Sequence, residues 1–177
     1  VAYQPHLADA GQAAATEVAA RFLRGRVLDA GCGSGVYGRA HNGGEVVFAD
    51  RADVVALVPG DVQRLPCDLL TAEWAPEFDT VLLCNVTHLL GEAENRLAIQ
   101  RLSGALRPGG TLVVKDFDPQ HPVGEWFALN MCLYTDAGDV WSAKLITEWL
   151  TAAGLEVTGR HRLDATETGM VITARSS

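Results

Sequence analysis

Only two of the 177 residues are lysine, Lys115 and Lys144, and lysine and arginine together number 14 against 22 acidic residues. The net charge is −8, and no run of basic residues occurs. A nucleic-acid surface needs a concentrated basic patch, so a small molecule is the expected partner. Cysteine is scarce and scattered. Cys32, Cys67, Cys84 and Cys132 form no C-x-x-C pair, which argues against a zinc site. They read as four free thiols, expected of a reducing compartment and so of the cytoplasm. No apolar run approaches the ~18 residues of a membrane span, and no signal-peptide pattern is present. Repeats and low-complexity segments are also missing. What remains, 48% hydrophobic and 20% charged, is the composition expected of one globular domain.

Glycine, by contrast, is concentrated. "VLDAGCGSGVYG", Val27 to Gly38, holds four glycines in twelve residues. Glycine loses much backbone entropy on ordering, so such a cluster needs a reason. Around it the chain alternates between strand and helix patterns. A helical stretch covers Leu7 to Leu23, and "GRVLDA" is a buried strand ending at Asp29, with a short helix after Gly35. "EVVFAD" (Glu45–Asp50), "FDTVLLCN" (Phe78–Asn85) and "TLVVKDF" (Thr111–Phe117) are further strands. A helix spans about Gly91 to Leu106, with Ala98, Leu102, Ala105 and Leu106 on one face, and "RPGG" breaks it. Asp118 to Val140 is expected to be irregular. Ser142 caps a last helix, Gly154 ends it, and "LEVTGRHRL" and "TGMVITAR" close the chain as an antiparallel pair. Continuous Val/Leu strands between helices predict an α/β fold with an open sheet covered on both faces. Such sheets bind ligands beyond the carboxyl ends of their strands.

The glycine loop lies at one such end, and two registers fit it. Gly33, Gly35 and Gly38 match G-x-G-x-x-G, the dinucleotide pattern, which is weak alone. Gly31, Gly33 and Gly35 match D-x-G-x-G-x-G, with Asp29 ahead. A pyrophosphate is disfavoured beside a carboxylate; a ligand with an ammonium and a sulfonium is not. Asp29 therefore favours S-adenosylmethionine over NAD. Asp50, at the end of the next strand, is placed to accept ribose hydroxyls. Asp61 is expected to end a third strand and face the adenine amino group. Asp50 to Asp61 is too short for a full crossover helix, so this segment is expected to be poorly ordered or to lack one. Asn85, at a strand's carboxyl end, is a further cofactor-site candidate.

"VLDAGCGSG", "FAD", "GDVQRLP", "FDTVLLCNVTHLL" and "LRPGGTLVV" occur in the order seen in class I S-adenosylmethionine-dependent methyltransferases, over Arg26 to Ala174. The resemblance implies a Rossmann-like sheet of seven strands, mostly parallel, with a C-terminal antiparallel hairpin. "NVTHLLGEAENRLAIQRL" is similar, more narrowly, to small-molecule O-methyltransferases of the plant caffeate and bacterial natural-product type. That resemblance implies His88 as general base, with Asp116 in the place of an acid at the end of the strand after "PGG". It implies a phenolic or enolic hydroxyl of a small apolar molecule as acceptor. Those proteins carry an N-terminal helical domain that forms the dimer. Here ~25 residues precede the first strand, a helical segment ahead of a catalytic domain at 26–177, so the oligomeric state is left open. Trp126, Phe127, Met131 and Tyr134 gather in the long irregular stretch and are expected to wall the acceptor pocket. Asp116, Asp118 and His121 are oxygen and nitrogen ligands in proximity, but no carboxylate near His88 completes a metal set, and no metal is expected. The rival readings are a non-catalytic domain of the same fold, an N- or C-methyltransferase, and an NAD-type oxidoreductase.

Overall fold

The structure, a computed structural model, describes residues 4–166 and 168–177, with the side chains of residues 4–10 outside that description. Seven strands form one sheet: β1 (Val27–Ala30), β2 (Val46–Asp50), β3 (Gln63–Pro66), β4 (Phe78–Cys84), β5 (Leu106–Phe117), β6 (Glu156–Arg162) and β7 (Gly169–Arg175). Their order is β3-β2-β1-β4-β5-β7-β6. The first five pair in parallel, and β7 runs antiparallel to both β5 and β6. The order reverses between β1 and β4, so the connections leave these two strands in opposite directions. Their carboxyl ends open the crevice in which doubly wound sheets bind ligands.

Strand alternation sends side chains to both faces, and helices cover each. Val27, Leu82, Val113 and Val171 face α1 (Gln4–Phe22), through its Ala14, Ala15, Val18 and Ala19, and Tyr37 of α2 (Val36–Arg39). Leu28, Val81, Leu83, Leu112 and Ile172 face α4 (Glu92–Ser103) and α6 (Ala143–Ala152), whose Ile99, Leu102, Ile146 and Trp149 are fully buried. Burial of each such side chain contributes about 1.5–3 kcal/mol, which is what holds helices this short in place.

The β2–β3 crossover is twelve residues, Arg51 to Val62, with α3 (Ala52–Val55) a single turn inside it. The expected absence of a full crossover helix is met by an ordered, minimal connection. Three expectations change. "RPGG" does not separate α4 from its strand: it lies within β5, where Leu106 pairs with Phe78 and Gly109 adopts φ +76°. A glycine there absorbs the register shift that another residue would resist. Asp118 to Val140 is not irregular but holds α5 (Pro122–Tyr134). Its start is hidden because the cap is the His121 ring, Nδ1 accepting from Val123 N at 3.2 Å, rather than one of the usual capping residues. Asp61 does not end β3 but precedes it, and the paired register Asp50↔Pro66 puts the strand's carboxyl end five residues later. Pro59-Gly60-Asp61 is turn chemistry, and the strand begins only after it.

Candidate active site

Three glycines of the loop after β1 have positive φ: Gly31 +69°, Gly33 +54° and Gly35 +77°. Side-chain-bearing residues avoid that region. Space is short as well, since a Cβ on Gly38 would lie 2.7 Å from both Asp29 Oδ2 and the Phe48 ring. The loop is therefore pressed onto the carboxyl ends of β1 and β2. Asp29 is 2% exposed, and its Oδ2 accepts from Gly38 N at 2.9 Å. Burial pushes its carboxyl up to about 7, offset in part by the Gly38 N–H. Asp29 pairs with Phe48, so Asp50, two residues further along β2, lies on the same face of the sheet. Asp50 Oδ2 accepts from Gly33 N at 2.9 Å and its Oδ1 from Arg51 N at 2.8 Å. Both oxygens keep lone pairs for a further donor.

Beyond β4 a 3₁₀ turn, Thr87–Leu89, carries His88 next to the end of β5. Asp116 is 3% exposed and gathers four donors there. Its Oδ2 accepts from Thr87 Oγ1 at 2.6 Å and from His88 N at 3.2 Å; its Oδ1 meets His88 Nδ1 at 2.7 Å and accepts from Phe117 N at 2.8 Å. Desolvation alone would raise this carboxyl, but the His88 ring, Thr87 and Lys115 outweigh it and hold the carboxyl down at about 2. A carboxylate only accepts, so the proton shared with His88 belongs to Nδ1. Nε2 is then the basic nitrogen, and it makes no hydrogen bond among the described residues. A carboxylate fixing one ring nitrogen so that the other takes a proton is the arrangement of a general base with its orienting acid.

On the opposite face of β5, Lys115 Nζ donates to Asn85 Oδ1 at 2.7 Å, and Asn85 Nδ2 reaches Tyr37 Oη at 3.4 Å. Asn85 is the one non-glycine with positive φ among the described residues, at +57°.

The four aromatic and methionine candidates differ in burial, although Phe127, Met131 and Tyr134 share one stripe of α5. The Phe127 ring lies 4.0 Å from that of Phe117 and 4.9 Å, edge-on, from His88. Met131 is buried. Trp126 and Tyr134, however, are 72% and 81% exposed. Asp61 is exposed, in the turn ahead of β3 and not at its carboxyl end. The acid that does follow the carboxyl end of β3 is Asp68, which the sequence reading passed over. Cys67 N donates to Asp50 O at 2.8 Å, carrying the β2–β3 pairing up to it. The prolyl turn before β3 was the signal that located the strand, and hence Asp68. Lys115 was also passed over, although a lone lysine in the buried "TLVVKDF" strand is itself anomalous.

Asp116, Asp118 and His121 do not converge on an ion. Asp116 serves His88, Asp118 takes Gln120 N at 2.9 Å, and His121 caps α5. A cavity of about 270 Å³ lies at the other edge of the sheet, between Arg24, Arg107 and Arg175. Its guanidinium groups are engaged by Asp79 and by backbone carbonyls, and no site residue borders it.

A family model described as a methyltransferase domain matches residues 3–159. No curated protein matches the chain in sequence. Among solved structures, a candidate O-methyltransferase of Nostoc punctiforme superposes with a TM-score of 0.90 at 23% identity, covering 99% of this chain and 59% of that one. An O-methyltransferase family 2 protein of Planctomyces limnophilus, solved with apigenin, gives 0.83 at 20% identity, covering 98% and 60%. Human N-acetylserotonin methyltransferase, solved with S-adenosylmethionine, gives 0.75 at 18%, covering 96% and 51%. The chain thus spans little more than half the length of these proteins, and at such identity the likeness is one of fold.

Proposed function

The chain belongs to the methyltransferase-domain family, and from that premise we propose that it transfers a methyl group from S-adenosylmethionine to a phenolic or enolic hydroxyl of a small apolar molecule. The observation that carries this reading is the buried His88–Asp116 pair beside the crevice, with Phe117 and Phe127 against the ring. The cofactor supplies a sulfonium-activated methyl, so the protein's part is mainly positioning and deprotonation.

The residues present fit such a cofactor. Asp29, a buried carboxyl whose charge burial and the nearby Asp50 suppress, gains from a cation brought beside it. Asp50 has lone pairs left for a ribose diol, and Asp68 stands at the next strand end for an amino group on the base. His88 Nε2 removes the acceptor proton, while ionised Asp116 holds the ring and stabilises the imidazolium that forms. Phe127 and Met131 give the acceptor an apolar wall. The relatives solved with a flavone and with S-adenosylmethionine support this choice of acceptor and cofactor class. The test is kinetic. His88→Ala is expected to lower kcat roughly 10²–10⁴-fold on a panel of phenols while leaving S-adenosylhomocysteine affinity unchanged. Unaltered turnover would remove the base from the mechanism.

A further inference from the structure

The chain's two lysines have opposite fates. The Lys144 side chain is 84% exposed and lies 4.0 Å from Glu148. Lys115 is 5% exposed, the one fully buried lysine or arginine among the described residues. An ammonium has three protons to donate, and here a single one is used, on Asn85 Oδ1 at 2.7 Å. The flanking groups are the faces of Phe117 and Tyr37, 5.2 and 5.9 Å from Nζ to the ring centroids. No carboxylate forms an ion pair with it among the described residues. Its chain neighbour Asp116 points to the other face of β5 and is taken by Thr87 and His88. Buried charges in proteins are paired or serve a ligand; Lys115 feels the Asp116 charge through space, but no described carboxylate touches it.

Its position says what the ligand group is. Lys115 pairs with Cys84 across β4 and β5, at the carboxyl edge, on the face that carries Asp29 and Tyr37. The Asn85 backbone, held at φ +57°, turns that side chain between Lys115 and Tyr37. Asp29 and Asp50 on this face suit an ammonium and a diol, but neither suits an anion. S-adenosylmethionine carries one anionic group, the carboxylate of its amino-acid end. We propose that Lys115, positioned by Asn85, binds that carboxylate, so that the chain reads the zwitterionic end of the cofactor with a buried cation as well as a buried acid. This rests on the cofactor reading above.

The experiment compares two ligands by titration calorimetry: S-adenosylhomocysteine, and its decarboxylated analogue, which keeps the nucleoside, the sulfur and the ammonium. The wild-type chain is expected to prefer the first by about 10- to 100-fold, the scale of a charge-assisted hydrogen bond. Lys115→Met is expected to abolish that preference by weakening S-adenosylhomocysteine alone, with no loss of thermal stability, since it removes a buried charge that no described carboxylate touches. Equal weakening of both ligands would make Lys115 a structural residue and overturn the proposal. So would unchanged S-adenosylhomocysteine binding, including the case in which KM rises only for carboxylated phenols, which would assign the ammonium to the acceptor. A wild-type chain that binds both ligands equally refutes the carboxylate site while leaving the cofactor reading intact; one that binds neither overturns both.

Discussion

Asp29→Asn separates what the glycine loop costs from what it does. The buried carboxyl titrates at about 7 against an ordinary value of 3.8. An acid raised in the folded state contributes stability that is fully present below pH 3.8 and lost as pH rises through about 7. Each tenfold in protonation is worth about 1.4 kcal/mol, so above pH 7 the ionised group costs the fold on the order of 4 kcal/mol. The Asn carbonyl can still accept from Gly38 N, the one hydrogen bond the Asp29 side chain makes among the described residues, so the substitution removes charge and little else. The variant is expected to be more stable than wild type by on the order of 4 kcal/mol at pH 8 and about 1.5 kcal/mol at pH 5. At the ~2–4 °C per kcal/mol of a chain this size, the gain at pH 8 is about 8–16 °C. Thermal unfolding at the two pH values reads it directly. With S-adenosylhomocysteine the sign reverses: wild type is stabilised by ligand and the variant much less, because the ammonium loses its counter-charge. A variant no more stable at pH 8 than at pH 5, relative to wild type, would show that Asp29 is not a strained carboxyl. A variant that binds the ligand as tightly as wild type would remove Asp29 from the site.

Asp50→Ala is expected to weaken S-adenosylhomocysteine by ~1–3 kcal/mol, the cost of unpaired partners, while Asp61→Ala, in the turn ahead of β3, leaves calorimetric affinity unchanged. Asp116→Ala strips the acceptor from Thr87, His88 and Phe117 and is expected to cost about 3–5 kcal/mol in urea denaturation. Since that carboxyl is held at about 2, the stability it contributes in wild type is present above pH 3.8 and lost as pH falls toward 2. Phe127→Ala is expected to raise KM for an aromatic acceptor several-fold, whereas Trp126→Ala on the exposed side of α5 leaves it unaltered in the same assay.

Strand periodicity and turn chemistry in the sequence by themselves determined an open α/β sheet, its closing antiparallel pair, and the places of Asp29, Asp50, His88 and Asp116 at or just beyond strand ends, whereas the count of seven strands is what the family resemblance implies. Those features are local: a buried strand is a run of Val and Leu, and the residue that follows it stands at the sheet edge whatever the neighbours do. Where a strand begins is less local. The short β3 reads no differently from a loop until its pairing with β2 is known, so the sequence points to Asp61 as the strand-end acid where the fold places Asp68. The start of α5 was concealed because a histidine ring caps it, and its apolar residues point outward as well as inward, leaving no single face to detect. Only the tertiary structure decided which of Trp126, Phe127, Met131 and Tyr134 approach His88, because a helix sends neighbours 100° apart and its rotation is set by what it packs on. Only the tertiary structure decided which groups surround Lys115. That a lysine occurs in an apolar strand is written in the chain, but what meets it depends on strands far apart in sequence, and among the described residues it is Asn85 that accepts its hydrogen bond while Asp116 faces the other side of the sheet.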